Sequence, residues 1–288
     1  MESTLRRRPG LRAWLLLAPS ATWLILFFVA PLFIVLVYSF LQRGEFGSVV
    51  WEFTPGNYQR VFDPLYFSTF LRSVYIAVIT TTICLILGFP LAYFIATRSP
   101  RWRGALLVAL IIPFWTNFLI RTYAWLALLR TNTGLINVTL MNLGLITKPL
   151  PIFGNDFAII LGLVYAWLPD MVLPLYAALE RLDKSLIEAG GDLYAPSRKI
   201  FSRIVWPLAL PGVIAGSMLV FIPTLGAFIT PAILGGGKSL MIGNIINNQF
   251  LAARDWPFGS ALSTLMMVLM LVATLVYFRS AGTRGTRL

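Results

Sequence analysis

ALERLDKSLIEAGGDLYAPSRKIFSRIVWP, residues Ala178–Pro207, is the longest charge-dense run in a chain that is otherwise mostly apolar. It carries both signs: Glu180, Arg181, Asp183, Lys184, Glu188, Asp192, Arg198, Lys199 and Arg203. Charge alone fits a solvated loop equally well. The apolar residues argue for more. Leu179, Leu182, Leu186 and Ala189 recur at helical spacing, as do Ile200 and Ile204. Gly190, Gly191 and Pro196 punctuate the run and predict two short helices with a turn between them. A helix–turn–helix with one apolar face, held just outside a bilayer, has the shape that fits a partner's cleft.

The bilayer follows from what flanks this run. The chain is 58% hydrophobic and 12% charged, with a mean hydropathy of +0.80, which reads as an all-α multi-span membrane protein. Arg6, Arg7, Arg8 and Arg12 mark a basic N-terminus over residues 1–12, followed by an apolar stretch over residues 13–40. That stretch is too long for a signal peptide and lacks a small-residue cleavage site, so it reads as an uncleaved first transmembrane helix, interrupted at Pro19 and Pro31. About 20 apolar residues cross a bilayer. Five more spans are expected at 71–97, 104–129, 157–179, 208–234 and 258–278, followed by a basic tail over residues 279–288.

Basic residues set the orientation. They crowd the N-terminus, the second connection (Arg98, Arg101, Arg103), the Leu179–Pro207 loop and the tail (Arg279, Arg284, Arg287). The other three connections carry few bases and comparable numbers of acids. The positive-inside rule therefore predicts both termini and the loop in the cytoplasm. A net charge of +12 would suggest nucleic acid in a soluble protein; here it reflects topology and anionic lipid, and no nucleic acid partner is expected. The single cysteine, Cys84, and the absence of histidine exclude a disulfide framework, a multi-cysteine metal site and the usual general base.

The loop resembles the EAA loop of permease subunits of ABC importers. That pattern is Glu-Ala-Ala, three residues, Gly, nine residues, Ile, one residue, Leu-Pro. Glu188, Ala189, Ile204 and Pro207 fall in register. Gly190 replaces the second Ala, Tyr194 replaces the Gly and Trp206 replaces the Leu. Because Gly permits a tight turn, its loss at Tyr194 predicts a turn displaced to Gly190 and Gly191. The resemblance implies that Glu188, Ala189, Gly190, Tyr194, Ile204 and Pro207 couple the chain to a cytoplasmic ATPase. Glu188 is expected to cap or pair within its helix, and Tyr194 and Pro207 to shape the turn and the return into the fifth span.

The chain is not expected to hydrolyse ATP itself. Residues 232–239, AILGGGKS, approach a phosphate-binding loop, but Ala232 stands at the first Gly position and a transmembrane helix precedes it instead of a strand. The segment reads as a flexible exit from the fifth span. Any cofactor, ATP with Mg, is expected on the partner ATPase.

Polar groups inside spans are costly and mark pathways or pairs. Asn117, Arg121 and Trp125 fall at i, i+4 and i+8 of the third span. Asp170 lies in the fourth, between Pro169 and Pro174 and near Trp167, where the prolines predict a broken or kinked helix. These five residues are the pathway candidates, and an Arg121–Asp170 structural pair is the competing reading. Trp115, Tyr123, Trp125, Tyr165, Trp167 and Tyr176 serve interfacial belts and packing, or a cation–π path for an amine. Gly212 and Gly216 form a small-xxx-small pair for close helix approach. Residues 242–251 read as an amphipathic segment on the outer side.

Residues 113–125, PFWTNFLIRTYAW, and 221–231, FIPTLGAFITP, with the Asn244–Asp255 stretch that follows, resemble permeases of the spermidine/putrescine type. The resemblance spans residues 65–278 and implies a type I ABC-importer permease fold for that stretch, in a bacterial inner membrane. It implies a second homologous permease, two cytoplasmic ATPases and a periplasmic solute-binding protein as partners. Polyamine import is the expected function. The alternatives are an ABC importer of another small organic solute or a metal complex, or a stand-alone secondary transporter without an ATPase.

Overall fold

The structure is a computed structural model and describes residues 9–237 and 239–282. Most of the basic N-terminus, Lys238 of the Gly-rich segment, and Arg284 and Arg287 of the tail lie outside the described residues.

The chain is built from helices. Helix α1 (Pro9–Leu24) continues through a π turn (Ile25–Val29) into α2 (Ala30–Tyr38). A two-stranded hairpin follows, β1 (Gln42–Arg43) pairing antiparallel with β2 (Val49–Val50). Next come α3 (Gly56–Val61), α4 (Pro64–Ala96), α5 (Pro100–Ile111), α6 (Phe118–Leu129), α7 (Leu135–Asn142) and α8 (Asp156–Glu180). The charged loop carries α9 (Lys184–Asp192) and α10 (Ser197–Ile200); α10 passes through a second π turn (Phe201–Val205) into α11 (Trp206–Leu225). The chain then makes α12 (Ile229–Leu234), α13 (Ile242–Leu251) and α14 (Trp256–Gly282). Among the described residues, five helices are long and apolar enough to cross a membrane, and there are six if the bent pair Pro100–Trp115 with Phe118–Leu129 is counted as one span.

The chain divides into two compact units. The first comprises residues 1–63 and 246–268. Its centre is Asp255, 1% exposed. The carboxylate accepts from Arg60 at 3.0 Å, lies 4.0 Å from Arg43, and caps α14 by accepting the Phe258 N–H. Arg60 also lies over the Phe258 ring at 4.0 Å. Residues near the first and fifth connections thus meet through charge complementarity.

The second unit comprises residues 64–245 and 269–288. Helices α4 and α8 run parallel, with Ile76 beside Ile159 and Leu163, and Gly88 beside Met171. Helix α11 runs antiparallel to α8. Gly212 faces Pro174 and Ala178 while Gly216 faces Met171; a Cβ at Gly212 would come 2.6 Å from the Pro174 carbonyl oxygen. The expected close approach is therefore present and depends on missing side chains. Met171, Val172, Leu175, Ala209 and Val220 fill the space between these helices. At one end Arg103 pairs with Glu180 at 3.2 Å. At the other, Arg72 bonds both Asp156 and Ser239. The second and fourth connections therefore share one end, and the third and fifth share the other, as the charge pattern predicts.

Four helix expectations need correction. Helix α1 passes through Pro19 without a break; the interruption is the π turn ahead of Pro31. Helix α8 is continuous through Pro169 and Pro174, because packing against α4 and α11 outweighs the loss of two ladder bonds. The third span breaks instead: a 3-10 turn (Ile112–Trp115) ends at Thr116, Asn117 caps α6 by accepting the Leu119 N–H, and the two halves meet at 83°. The fifth span ends at Leu225, with Gly226 as its cap, and the residues up to Leu234 form the separate α12.

Candidate functional site

The charged loop begins where α8 ends. Asp183 caps α9 by accepting the Ser185 N–H at 3.0 Å. This bond holds the Asp183 carboxyl below its ordinary value near 3.8. Glu188 is exposed and forms no ion pair among the described residues; the side chain of Lys184, one turn earlier, lies outside them. The capping role belongs to Asp183, at the position where a cap can reach the free N–H groups.

Helix α9 ends in a Schellman motif. The Tyr194 N–H donates to the Gly191 carbonyl at 2.8 Å, and the Ala195 N–H donates to the Gly190 carbonyl at 3.0 Å. Tyr194 takes the left-handed conformation, φ +55°. Glycine normally fills this position, and an L side chain there costs roughly 1–2 kcal/mol. The turn is therefore not displaced: Gly190 and Gly191 are helical, and Tyr194, at the position of the Gly in the family pattern, makes the turn itself.

The two faces of α9 have different neighbours. Gly190 is buried against Ile200 and Ile204; a Cβ on it would meet them at 3.2 and 3.4 Å. Ile187 packs on the same core. Leu186 and Ala189 of the apolar face expected from the periodicity are exposed, as are Leu193 and Tyr194. Helix α10 then turns into α11. Pro207 cannot donate to the ladder, and the π turn immediately before it absorbs the mismatch. Trp206, in place of the family Leu, packs on Phe89 at 5.6 Å, and Phe201 meets the same ring at 5.5 Å. The loop is thus joined to α11 through one helix and to α4 through an aromatic cluster.

The intramembrane candidates fall into two groups. Arg121 lies 4.9 Å over the Phe114 ring, Phe114 stacks on Tyr165, and Trp125 meets Tyr165 edge-on at 5.5 Å. The cation on these rings is the chain's own Arg121. Its Nε and Nη1 are buried and have no hydrogen-bond partner among the described residues. Asn117 sits apart from this group, its side-chain oxygen used in the α6 cap. Asp170 lies on α8, and among the described residues Arg121 and Asp170 form no ion pair, so the structural-pair reading is corrected. Trp167, one turn before Asp170, opens on a cleft of about 280 Å³ bordered by Phe118, Leu163, Gly226, Phe228 and Thr230. Its indole N–H is also buried and unpaired among the described residues. The breaks in the third and fifth spans border this cleft.

Residues 85–282 match the family of binding-protein-dependent transport system inner membrane components. The chain belongs to that family. The spermidine/putrescine transport system permease protein PotB of Escherichia coli (strain K12) is 46% identical over 259 residues, covering 90% of this chain and 94% of that protein. PotB of Haemophilus influenzae is 42% identical, covering 90% of both. A solved bacterial alginate ABC transporter, in complex with alginate pentasaccharide-bound periplasmic protein, superposes with a TM-score of 0.69 over 96% of this chain and 95% of that chain, at 16% identity. That likeness is one of fold.

As an inner membrane transport component, the chain has further structural residues that the sequence reading did not single out. Arg103 and Glu180 were each counted only as loop charges; opposite signs at the ends of neighbouring spans were the available signal. Asn137, fully buried, donates to Thr131 and Leu150 carbonyls and accepts the Leu150 N–H, ordering the third connection. Gly162 lies against Leu234 and Thr230, which seats α12 on α8. A lone glycine or asparagine offers no periodic signal.

Proposed function

We propose that this chain is one permease subunit of a binding-protein-dependent ABC importer for polyamines of the spermidine/putrescine kind. The observation that carries the reading is the 46% identity to PotB across nine-tenths of the chain. Both termini and the Ala178–Pro207 loop face the cytoplasm, in keeping with the basic residues the sequence carries in each of them. The chain forms half of a pore with a second permease. Two cytoplasmic ATPases bind below, and a loaded periplasmic protein docks above.

Transport follows alternating access. Closure of the ATPases moves α9, and Gly190 passes that movement to Ile200 and Ile204, hence to α11. Glu188 and Ala189, exposed on α9, face the ATPase. Asp170 contacts the amine cargo, with Trp167 offering a ring face beside the cleft. Arg121, with Trp125 beside it, borders the path, and Asn117 caps the helix at the bend of the third span.

The test is uptake of labelled spermidine by the complete complex in proteoliposomes. Uptake that needs both ATP and the binding protein supports the reading. A complex that binds its ATPase and hydrolyses ATP but moves no polyamine removes the substrate assignment. Uptake without ATP removes the importer assignment.

A further inference from the structure

Tyr194 combines two properties that oppose each other in an isolated chain. Its backbone is held at φ +55°, a conformation that favours glycine, and its side chain is 95% exposed, so the ring makes no compensating intramolecular contact. Strain maintained without an internal return points to a contact made outside the chain.

The surroundings indicate the kind of contact. Leu186, Ala189 and Leu193 fall at i, i+3 and i+7 of α9, and Leu186 and Leu193 are 45% and 81% exposed. With Tyr194 they form an exposed apolar stripe that runs beside Gly190, whose own surface is covered by Ile200 and Ile204. Glu188 and Asp192, one turn apart and both exposed, border the stripe. An acidic border is unfavourable beside anionic lipid headgroups and favourable beside a protein pocket rimmed by Lys or Arg.

We infer that Tyr194 is a specificity anchor: its ring fills an apolar, basic-rimmed pocket on the ATPase subunit, so this permease accepts only an ATPase that has such a pocket. The inference rests on the reading of this loop as the ATPase docking surface. The Schellman turn aims the ring, and the left-handed backbone is the cost of aiming an aromatic where the family pattern has no side chain. The hydroxyl is not required, since the argument concerns ring area.

The experiment uses the full permease complex with the purified ATPase subunit of the same importer. Tyr194→Gly relaxes the backbone and is expected to leave the thermal midpoint of the permease unchanged or higher. Its affinity for the ATPase is expected to fall about tenfold or more, with ATP-dependent uptake falling in step. Tyr194→Phe is expected to match wild type in both. Unchanged ATPase affinity in Tyr194→Gly overturns the inference, as does an effect confined to binding of anionic vesicles. Wild-type permease that binds no ATPase overturns the docking reading itself and is separable from the first result.

Discussion

Gly190 lies so close to Ile204 that a Cβ added to it would come within 3.4 Å of the Ile204 Cδ1. The contact joins the helix of the charged loop to the one that becomes the fifth span. A glycine in a helix interior is a weak helix former, so its position here follows from proximity.

Gly190→Ala restores the residue of the family pattern. The neighbouring atoms are the ends of flexible isoleucine side chains, which give way by a few tenths of an ångström. The variant should keep ATP-driven uptake, and α9 should gain about 0.5–1 kcal/mol of stability. Gly190→Leu should lift α9 off Ile204, abolishing uptake while the ATPase still binds. Uptake assays with co-purification distinguish the two.

Asp255 performs two tasks in the first unit, an ion pair and a helix cap. Asp255→Asn keeps the cap and loses the charge, whereas Asp255→Ala loses both and should cost about 2 kcal/mol more than wild type tolerates at that site. The order of thermal midpoints in detergent should be wild type, then Asn, then Ala.

Asp183 sets a pH limit for the loop. Its folded-state value lies below the ordinary 3.8 because the Ser185 N–H stabilises the carboxylate. A depressed value means that the stabilisation is complete above the unfolded value and is lost as pH falls through the folded one. Amide exchange in the first turn of α9, corrected for intrinsic rate, should therefore be flat from about pH 8 to pH 5 and rise only below about pH 4. Asp183→Asn should remove that acid dependence while retaining the cap.

Trp167 and Asp170 separate a structural role from a transport role. The Trp167 indole N–H has no partner among the described residues, so Trp167→Phe removes no hydrogen bond, and the smaller ring in a packed site should cost about 1–2 kcal/mol. Its KM for spermidine uptake should also rise several-fold. Asp170→Asn should lower uptake with ATPase association intact. Wild-type uptake in both variants would remove them from the pathway.

Features that depend on length and spacing were legible in the sequence. The apolar runs specify the spans, Gly212 and Gly216 predict the close contact with α8, and Glu188 to Pro207 mark the loop. Features decided by neighbours were not. Pro169 and Pro174 read as a break or kink, yet α8 is not broken because it is packed on two sides; the break lies one span earlier, where Asn117 caps α6, and nothing in the spacing marks it. The periodicity of α9 identifies an apolar face without stating which of its residues the chain covers, so the burial of Gly190 beside exposed Leu186 and Ala189 was not legible. Substitution of glycine by Tyr194 suggested that the turn would move, because sequence alone does not reveal when a fold tolerates strain.

The π turn at Phe201–Val205 holds one residue more than an α-helical turn would. With 3.6 residues per turn, one surplus residue advances the helix face by about 100°. Ile200 and Ile204 are in phase with Gly190 of the loop, whereas Val205, Ala209, Gly212, Gly216 and Val220 are in phase with the interior of the second unit. A uniform α-helix through Pro207 would align only one of these stripes with its mate. The surplus residue acts as a phase shifter, allowing a single rod to meet Gly190 with one stripe and the interior of the second unit with another.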